Sequence, residues 1–435
     1  MRRALIISYY WPPTGGSGVQ RWVKFAKYLP QFGWQPVIYT PKNPEQISTD
    51  HSLVGDIPDC AIVLKRHITE PYSLYAKLTG KKSGATPVEV ISSAGKGSRR
   101  DRFALWVRSN LFVPDPRVLW IRPSAKYLKR YLRENPVDVI ISTGPPHSMH
   151  LIAKKLSKKM NIPWVADFRD PWTDVFYFKH LNMSGRIRRK HKRLEMEVME
   201  KANRILVVSG QMERDFQKRL SQEDQHKIRV IPNGYDEDDF PCETVEKESF
   251  FTLTHTGLFA KEGNPDKLWM ALGELASKDS AFKEKLRIRI IGKVDPQVLS
   301  SLDKEGLSDN YINMGYLDHF EAIEWQRRAS LLLLPLRKEP EAKGIVTGKF
   351  FEYLASGTEI MAFGPPDGNL AELLKETSSG MIFDFEDERA IGETVRKYWQ
   401  NYLDGKLLSN SNSSHATKYS RKALTGQLVN VLNEL

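Results

Sequence analysis

A chain of 435 residues exceeds what one compact domain holds, so two or three domains are expected. With 40% hydrophobic and 27% charged residues it has a globular composition, and no apolar run approaches the roughly 20 residues needed to span a bilayer. Charge is unevenly spread: residues 1–240 hold 41 Lys and Arg against 24 Asp and Glu, residues 241–435 hold 24 against 29, which points to two domains with different partners. The basic half carries no helix-turn-helix, zinc-finger or RNA-binding signature, so nucleic acid is not expected as a partner. Cys60 and Cys242 make neither a disulfide framework nor a zinc site, and no metal is expected. Met1 to Ser8 has too short an apolar core for a signal peptide, so the expected location is cytoplasmic.

In chain order, Ala4 to Ser8 reads as a buried strand running into a Gly-rich loop, Tyr9 to Gly18, and then an amphipathic helix from Val19 to Leu29. Such a loop lets backbone approach a ligand, and the helix start favours an anion. It is neither a P-loop nor a dinucleotide fingerprint. Gly15, Gly16 and Gly18 are candidate binding residues, with Arg21 beside them. A second strand is read at Pro36 to Thr40. Residues 41–98 read as irregular, with a mobile insertion around 79–97. The stretch from Arg102 to Pro116 interleaves Trp, Phe and Leu with Arg; it suits a helix packed on the domain with snorkelling Arg, or a segment at a membrane interface.

Val137 to Ser142 is a further strand, followed by a loop that carries His147. A helix from Met149 to Lys159 precedes the strand Pro163 to Ala166, whose mouth crowds Asp167, Arg169, Asp170 and Asp174. Carboxylates so crowded mark either a polar ligand or a salt-bridged turn. The basic patch from Arg186 to Arg193 reads as a solvated helix face or a phosphate-binding surface, ahead of a helix from Leu194 to Ala202. Strands at Arg204 to Ser209 and Ile228 to Ile231 lead to Pro232-Asn233-Gly234-Tyr235-Asp236, and the acidic stretch Glu237 to Glu248 reads as a linker.

The rear half opens with a strand, Phe250 to Thr254, and the loop Gly257 to Gly263 with Lys261. A helix from Asp266 to Ala276, the strand Arg287 to Ile291 with Lys293 beyond it, and the strand Ile312 to Met314 continue the alternation. Leu331 to Leu336 reads as a buried parallel strand. After it Thr347 is the expected N-cap and Gly357 the left-handed close of a two-turn helix; Phe350, Phe351 and Leu354 share one face, Lys349, Glu352 and Ser356 another. A strand-like run, Thr358 to Phe363, follows. Strand, Gly-containing loop and short helix with an outward Lys is how a parallel sheet presents N–H groups to an anion; the alternative is plain helix packing. Arg421 to Leu435 closes the chain as an amphipathic segment.

Gly348 to Gly357 (GKFFEYLASG), together with PPHS at 145–148 and ADFRDPW at 166–172, resembles family 4 glycosyltransferases, and within them a Bacteroidetes-type subgroup. The PNGYD segment is similar to their interdomain joint. The family's Glu-x7-Glu pattern places its second Glu at Glu352 and would place the first at Gly344; its donor-loop Arg falls at Leu258. The resemblance implies a GT-B fold: two doubly wound α/β domains facing a cleft, with residues 1–240 binding acceptor, 241–415 binding donor, and 416–435 as a helix crossing back to the first domain. It implies transfer of a sugar, with retention and without a metal, from a UDP- or GDP-linked nucleotide sugar to a glycan or lipid-linked acceptor, with no cofactor beyond that co-substrate. A cytoplasmic enzyme that docks on the anionic inner membrane face is the implied setting. His147, Asp167 and Arg169 are then the expected catalytic residues. Donor contacts are expected at Gly16, Gly257, Lys261, Lys293, Thr347, Gly348, Lys349 and Glu352, and acceptor contacts at Gly15, Gly18, Arg21 and Asp170. A 2-epimerase of nucleotide sugars and a non-catalytic sugar-nucleotide-binding scaffold are the alternatives.

Overall fold

The computed structural model describes residues 1–45, 49–70, 106–107, 109–175, 178–179, 181–240, 245–406 and 416–435. The expected insertion at 79–97, and residues 102–105 and 108 of the aromatic-basic stretch, lie outside these. The chain divides into two compact units: residues 1–232 with 424–435, and residues 233–423.

Unit 1 is built on seven parallel strands: β1 (Arg2–Ile7), β2 (Trp34–Pro41), β3 (Ile62–Arg66), β4 (Val139–Gly144), β5 (Trp164–Phe168), β6 (Arg204–Val207) and β7 (Ile228–Val230). They lie in the order β3-β2-β1-β4-β5-β6-β7. Around them pack α1 (Ser17–Tyr28), α2 (Ile121–Glu134), α3 (Ser148–Met160), α4 (Gly185–Lys201) and α5 (Gly210–Gln217). Strands covered on both faces have no polar side to show, which is why β4 is buried along its whole length, with the hydroxyls of Ser142 and Thr143 hydrogen-bonded inside. Two corrections arise here. Residues 41–98 are not wholly irregular, since β3 pairs with β2 from Val37↔Ile62 to Pro41↔Arg66. The basic patch is a helix face, as read, but the helix starts at Gly185 and not at Leu194, so the patch is the first half of α4, whose N-cap Ser184 accepts from Ile187 N–H.

Unit 2 repeats the plan with β8 (Phe251–Thr256), β9 (Leu286–Ile291), β10 (Tyr311–Gly315), β11 (Leu331–Pro335), β12 (Ile360–Phe363) and β13 (Gly380–Phe383), in the order β10-β9-β8-β11-β12-β13. Its helices are α6 (Asp266–Lys278), α7 (Ser280–Lys285), α8 (Pro296–Lys304), α9 (His319–Arg328), α10 (Gly348–Ser356), α11 (Asn369–Thr377) and α12 (Glu388–Leu403). The acidic stretch after Asp236 is held down more firmly than a free linker would be. Lys247 donates to Ala329 O and Thr358 Oγ1, both at 2.8 Å, and Glu248 pairs with Arg289 at 2.5 Å.

The last helix, α13 (Arg421–Asn433), belongs from Leu424 onward to unit 1. Leu424, Leu428, Val429, Val431 and Leu432 are buried in one cluster with Ala4, Ile6, Trp22 and Val23. Each such side chain removed from water contributes about 1.5–3 kcal/mol, which explains why the chain returns. Before α13, Tyr235 N–H donates to Tyr419 O (3.2 Å) and Arg421 N–H to Tyr235 O (2.7 Å), so the two ends of unit 2 run side by side.

In both sheets the order reverses once, between β1 and β4 and between β8 and β11. Loops leaving the C-terminal ends of those strands splay apart there, and doubly wound sheets bind ligands at that point.

Candidate functional site

In unit 2 the loops after β8 and β11 meet over α10. Phe350, Phe351, Tyr353 and Leu354 bury one side of this helix, and Gly357 ends it at φ 69°, as the sequence leads one to expect. Tyr353 fixes it to β8 by accepting from Thr256 N–H at 2.9 Å. The opposite side carries Lys349 and Glu352.

Lys349 does not reach into open solvent. Its aliphatic stem lies across Gly257, where a Cβ would stand 2.7 Å from Lys349 Cε, and Gly257 takes φ +90°. Its ammonium donates to Leu258 O at 3.0 Å and lies 3.3 Å from His255 Nε2. The buried His255 has Nδ1 2.9 Å from Leu333 O, so the tautomer that suits both neighbours carries its proton on Nδ1 and accepts from Lys349 on Nε2. Burial, and then the Lys349 charge, hold this imidazole well below its ordinary pKa, so it stays neutral. Burial also lowers Lys349 to about 8, against an opposing pull from Glu352. Two of the three ammonium N–H groups are thus occupied. Thr347, two residues before Lys349, has its Oγ1 buried without a hydrogen-bond partner among the described residues, and Gly348 is exposed with open space around it. A cation, a hydroxyl without a hydrogen-bond partner among the described residues and the first N–H groups of a nine-residue helix thus fall within three consecutive residues, a set suited to an anion.

Because Gly257 combines a left-handed backbone with contact to Lys349, Gly257→Ala is expected to cost about 1–2 kcal/mol of stability and to push the lysine aside. Loss of pyrophosphate affinity in isothermal titration, with a melting temperature lowered by only a few degrees, is the expected reading.

Glu352, one turn along, is half-buried and receives a hydrogen bond from the amide of Gln326, which also donates to Thr256 Oγ1 at 3.1 Å. Desolvation raises its pKa; His319 and Lys349 oppose this, while Asp239 adds to it. Asp239 lies 3.3 Å from His319 Nε2. Lys261 and Lys293 are exposed on the loops after β8 and β9, and among the described residues neither makes a polar contact with Lys349, Thr347 or Glu352. His255 and Gln326 escaped the sequence reading. A histidine at the C-terminal end of a parallel strand was the available signal for His255; none existed for Gln326, which lies 26 residues before Glu352 in the chain.

In unit 1 the candidates separate into two groups. Arg21 and Asp167, expected to touch ligand, are instead an interior pair, both 0% exposed. Asp167 Oδ1 accepts from Arg21 Nη2 (2.9 Å) and Nε (3.2 Å), while Oδ2 accepts from Trp22 Nε1 (2.7 Å) and Thr143 Oγ1 (2.8 Å). Arg21 further donates to Ile231 O and Pro232 O. Every lone pair that could meet a substrate is spent inside. Arg169, expected to be catalytic, is a loop clamp: it donates to Gly18 O at 2.7 Å, to Gly144 O at 3.3 Å, and to Pro145 O. It thereby ties together the loops after β1, β4 and β5, and a Cβ on Gly18 would collide with its guanidinium at 2.7 Å. Gly15 is half-buried, while Gly16 and Asp170 remain exposed at this mouth. His147 sits at the start of α3, stacked on Trp172 with ring centroids 4.5 Å apart and planes 1° from parallel. Trp172 was quoted in the sequence only as part of a motif; its indole N–H donates to His191 Nδ1 at 3.0 Å, which anchors the stack to α4.

Both halves match known families. Residues 85–239 match the model described as Glycosyltransferase Family 4, and residues 251–401 the one described as Glycosyl transferases group 1. No curated protein sequence matches the chain. Among solved structures, a glycosyltransferase from Rickettsia africae is similar, with a TM-score of 0.64 at 12% identity, over 100% of this chain and 98% of its own. Anabaena Alr3699/HepE in complex with UDP matches with TM-score 0.63 at 12% identity over 100% of both chains. WaaG, a glycosyltransferase involved in lipopolysaccharide biosynthesis, matches with TM-score 0.55 at 15% identity over 99% of both. At such identities these structures speak for the fold. With the two family matches together spanning well over half of the chain, and each falling on one of two doubly wound units, the protein belongs to the glycosyltransferases of the GT-B fold.

Proposed function

We propose that the protein transfers a sugar, with retention and without a metal, from a nucleotide sugar bound in unit 2 to a glycan or lipid-linked acceptor bound in unit 1. The observation that carries this reading is the anion-receiving corner of Lys349, Thr347 and the start of α10, one helical turn from a carboxylate. A leaving diphosphate needs cationic and N–H donors that are in place before the bond breaks, and this corner supplies them. Glu352, oriented by Gln326, is suited to accept two ribose hydroxyls. A uridine nucleotide is favoured by the relative crystallised with UDP and with UDP-glucose. His147 and the exposed Asp170 stand at the mouth of unit 1 where the sugar or the incoming hydroxyl would lie; Gly15 and Gly16 frame it.

A thermal-shift panel of UDP, GDP, CMP and TDP tests the donor side, since a ligand of the native state raises the melting temperature as its concentration passes its dissociation constant. Glu352→Ala should weaken the preferred nucleoside diphosphate by about tenfold or more while leaving pyrophosphate binding unchanged, the loss of one charge-assisted pair of hydrogen bonds being worth about 1.5–3 kcal/mol. Equal losses for both ligands would detach Glu352 from the ribose.

For the acceptor side we infer an anionic membrane surface. Arg186, Arg189, Lys190, Lys192 and Arg193 are exposed on α4, and Trp106 (42% exposed) and Leu111 (64%) lie beside its start. Asn110 holds them there, donating to Asn182 O at 2.8 Å and accepting from Ser184 N–H at 3.0 Å. Juxtaposed basic residues contribute about 1 kcal/mol each near such a surface. The triple variant R186E/R189E/K190E is expected to lose binding to phosphatidylglycerol vesicles in sedimentation by about 100-fold, with binding to neutral vesicles unaffected.

A further inference from the structure

Beneath His147 lies a chain of buried polar groups that the transfer reaction leaves unused. Trp164 Nε1–H donates to Ser142 Oγ at 2.8 Å, and the same oxygen lies 2.8 Å from His150 Nδ1. An indole can only donate, so Ser142 accepts from Trp164. Its own proton then has one acceptor within reach, His150 Nδ1, because these are its two side-chain partners. A buried hydroxyl left without an acceptor would cost about 1–3 kcal/mol. His150 therefore accepts on Nδ1 and carries its proton on Nε2. That Nε2 is buried without a partner among the described residues, and so is His147 Nδ1. Both nitrogens look onto one point beside Gly144: a Cβ there would stand 2.6 Å from His150 Nε2 and 2.9 Å from His147 Nδ1. His150 is wholly enclosed and His147 is 7% exposed, so neither orphan finds bulk water. Burial keeps both rings neutral, lowering His150 to about 3 and His147 well below its ordinary value. No hydrogen bond joins the two directly; a single water between them would accept from His150 Nε2–H and donate to His147 Nδ1.

We propose that Trp164, Ser142 and His150 form a one-way hydrogen-bond relay that fixes the proton of His147 on Nε2, so that this ring meets its ligand as a hydrogen-bond donor and not as a base. Ser142 and His150 are positioning residues, and Gly144 is the gap through which the relay passes. The role toward substrate rests on the transferase reading; the tautomer does not.

Long-range 15N–1H spectra of the ligand-free protein with labelled histidine decide the matter, because protonated and bare ring nitrogens are resolved without any substrate. The expected result is Nε2–H for both His147 and His150 in the unaltered protein. Ser142→Ala should turn His150 into a mixture of tautomers, and His150→Phe should do the same to His147. His150→Gln, which places an amide N–H where Nε2 stands, should restore the single form of His147. A proton on Nδ1 of His147 in the unaltered protein overturns the proposal even if every variant fails to fold. So does a His147 signal indifferent to both Ser142→Ala and His150→Phe.

Discussion

Lys349→Ala is expected to abolish the thermal stabilisation given by the preferred nucleoside diphosphate and to lower the transfer rate by about 10²–10³-fold, the usual cost of deleting one donor to a developing negative charge. The fold should survive, because what the side chain gives up inside the protein is contact with Gly257, Leu258 O and His255, none of which becomes a buried unpaired charge. Neutral His255 can keep its bond to Leu333 O. A pH dependence accompanies this. The Lys349 amine is lowered to about 8 by burial, so it is charged below that value and progressively neutral above it. Affinity for a diphosphate should therefore be full at pH 7 and decline as the pH rises past about 8, with the midpoint moved upward in the complex because the bound anion favours the charged amine. Titration calorimetry between pH 6.5 and 9.5 measures it. A flat profile together with an unchanged shift in the variant would place the diphosphate elsewhere.

The second large effect concerns stability. Asp167→Ala removes a carboxylate that collects four hydrogen bonds and faces the buried Arg21. What is left is a buried guanidinium deprived of its Asp167 carboxylate, a loss that costs about 3–5 kcal/mol. For a unit of this size a melting temperature lower by roughly 6–20 °C in calorimetry is expected, confined to the transition of unit 1. Burial alone would raise the Asp167 pKa, but the Arg21 charge and the bonds from Arg21, Trp22 and Thr143 outweigh it and hold the carboxyl below its ordinary value. The stabilisation is thus complete above the unfolded pKa of about 3.9 and drains away as the pH falls through the lower folded one. Unit 1 of Asp167→Ala should show less acid sensitivity in that range than the parent does.

Asp167 also shows where a sequence stops being readable. Four polar residues at a strand mouth are visible as a pattern, but the groups that satisfy this carboxylate stand 24, 145 and 146 positions away. No local spacing distinguishes a carboxylate waiting for substrate from one already matched by Trp22, Arg21 and Thr143. The strands were easier: β11 is Leu331–Pro335, a buried run with nothing polar to hide. The edge strand β3 was not visible because only its first three residues are even half-buried. Helix α2 hides for a related reason: Lys and Arg fill most of its surface, and its buried positions, Ile121, Ser124, Leu128 and Leu132, include a serine. Helix α10 was legible in its bounds because periodicity and the closing glycine agree, although Thr347, at the N-cap position, makes no capping hydrogen bond among the described residues. The tether of Lys349 to His255 was not, since it joins residues 94 apart.

One feature of the chain path bears on how the molecule is made. Leu424 to Leu435 complete the first lobe, yet leave the ribosome only after the whole of the second has been synthesised. Nascent residues 1–232 must wait with Ala4, Ile6, Trp22 and Val23 lacking their cover, whereas residues 233–423 hold everything their own core requires. The later-made lobe is thus the first able to finish, and its neighbouring ends, joined through Tyr235, Tyr419 and Arg421, deliver the final helix to a partner that has been standing open throughout translation.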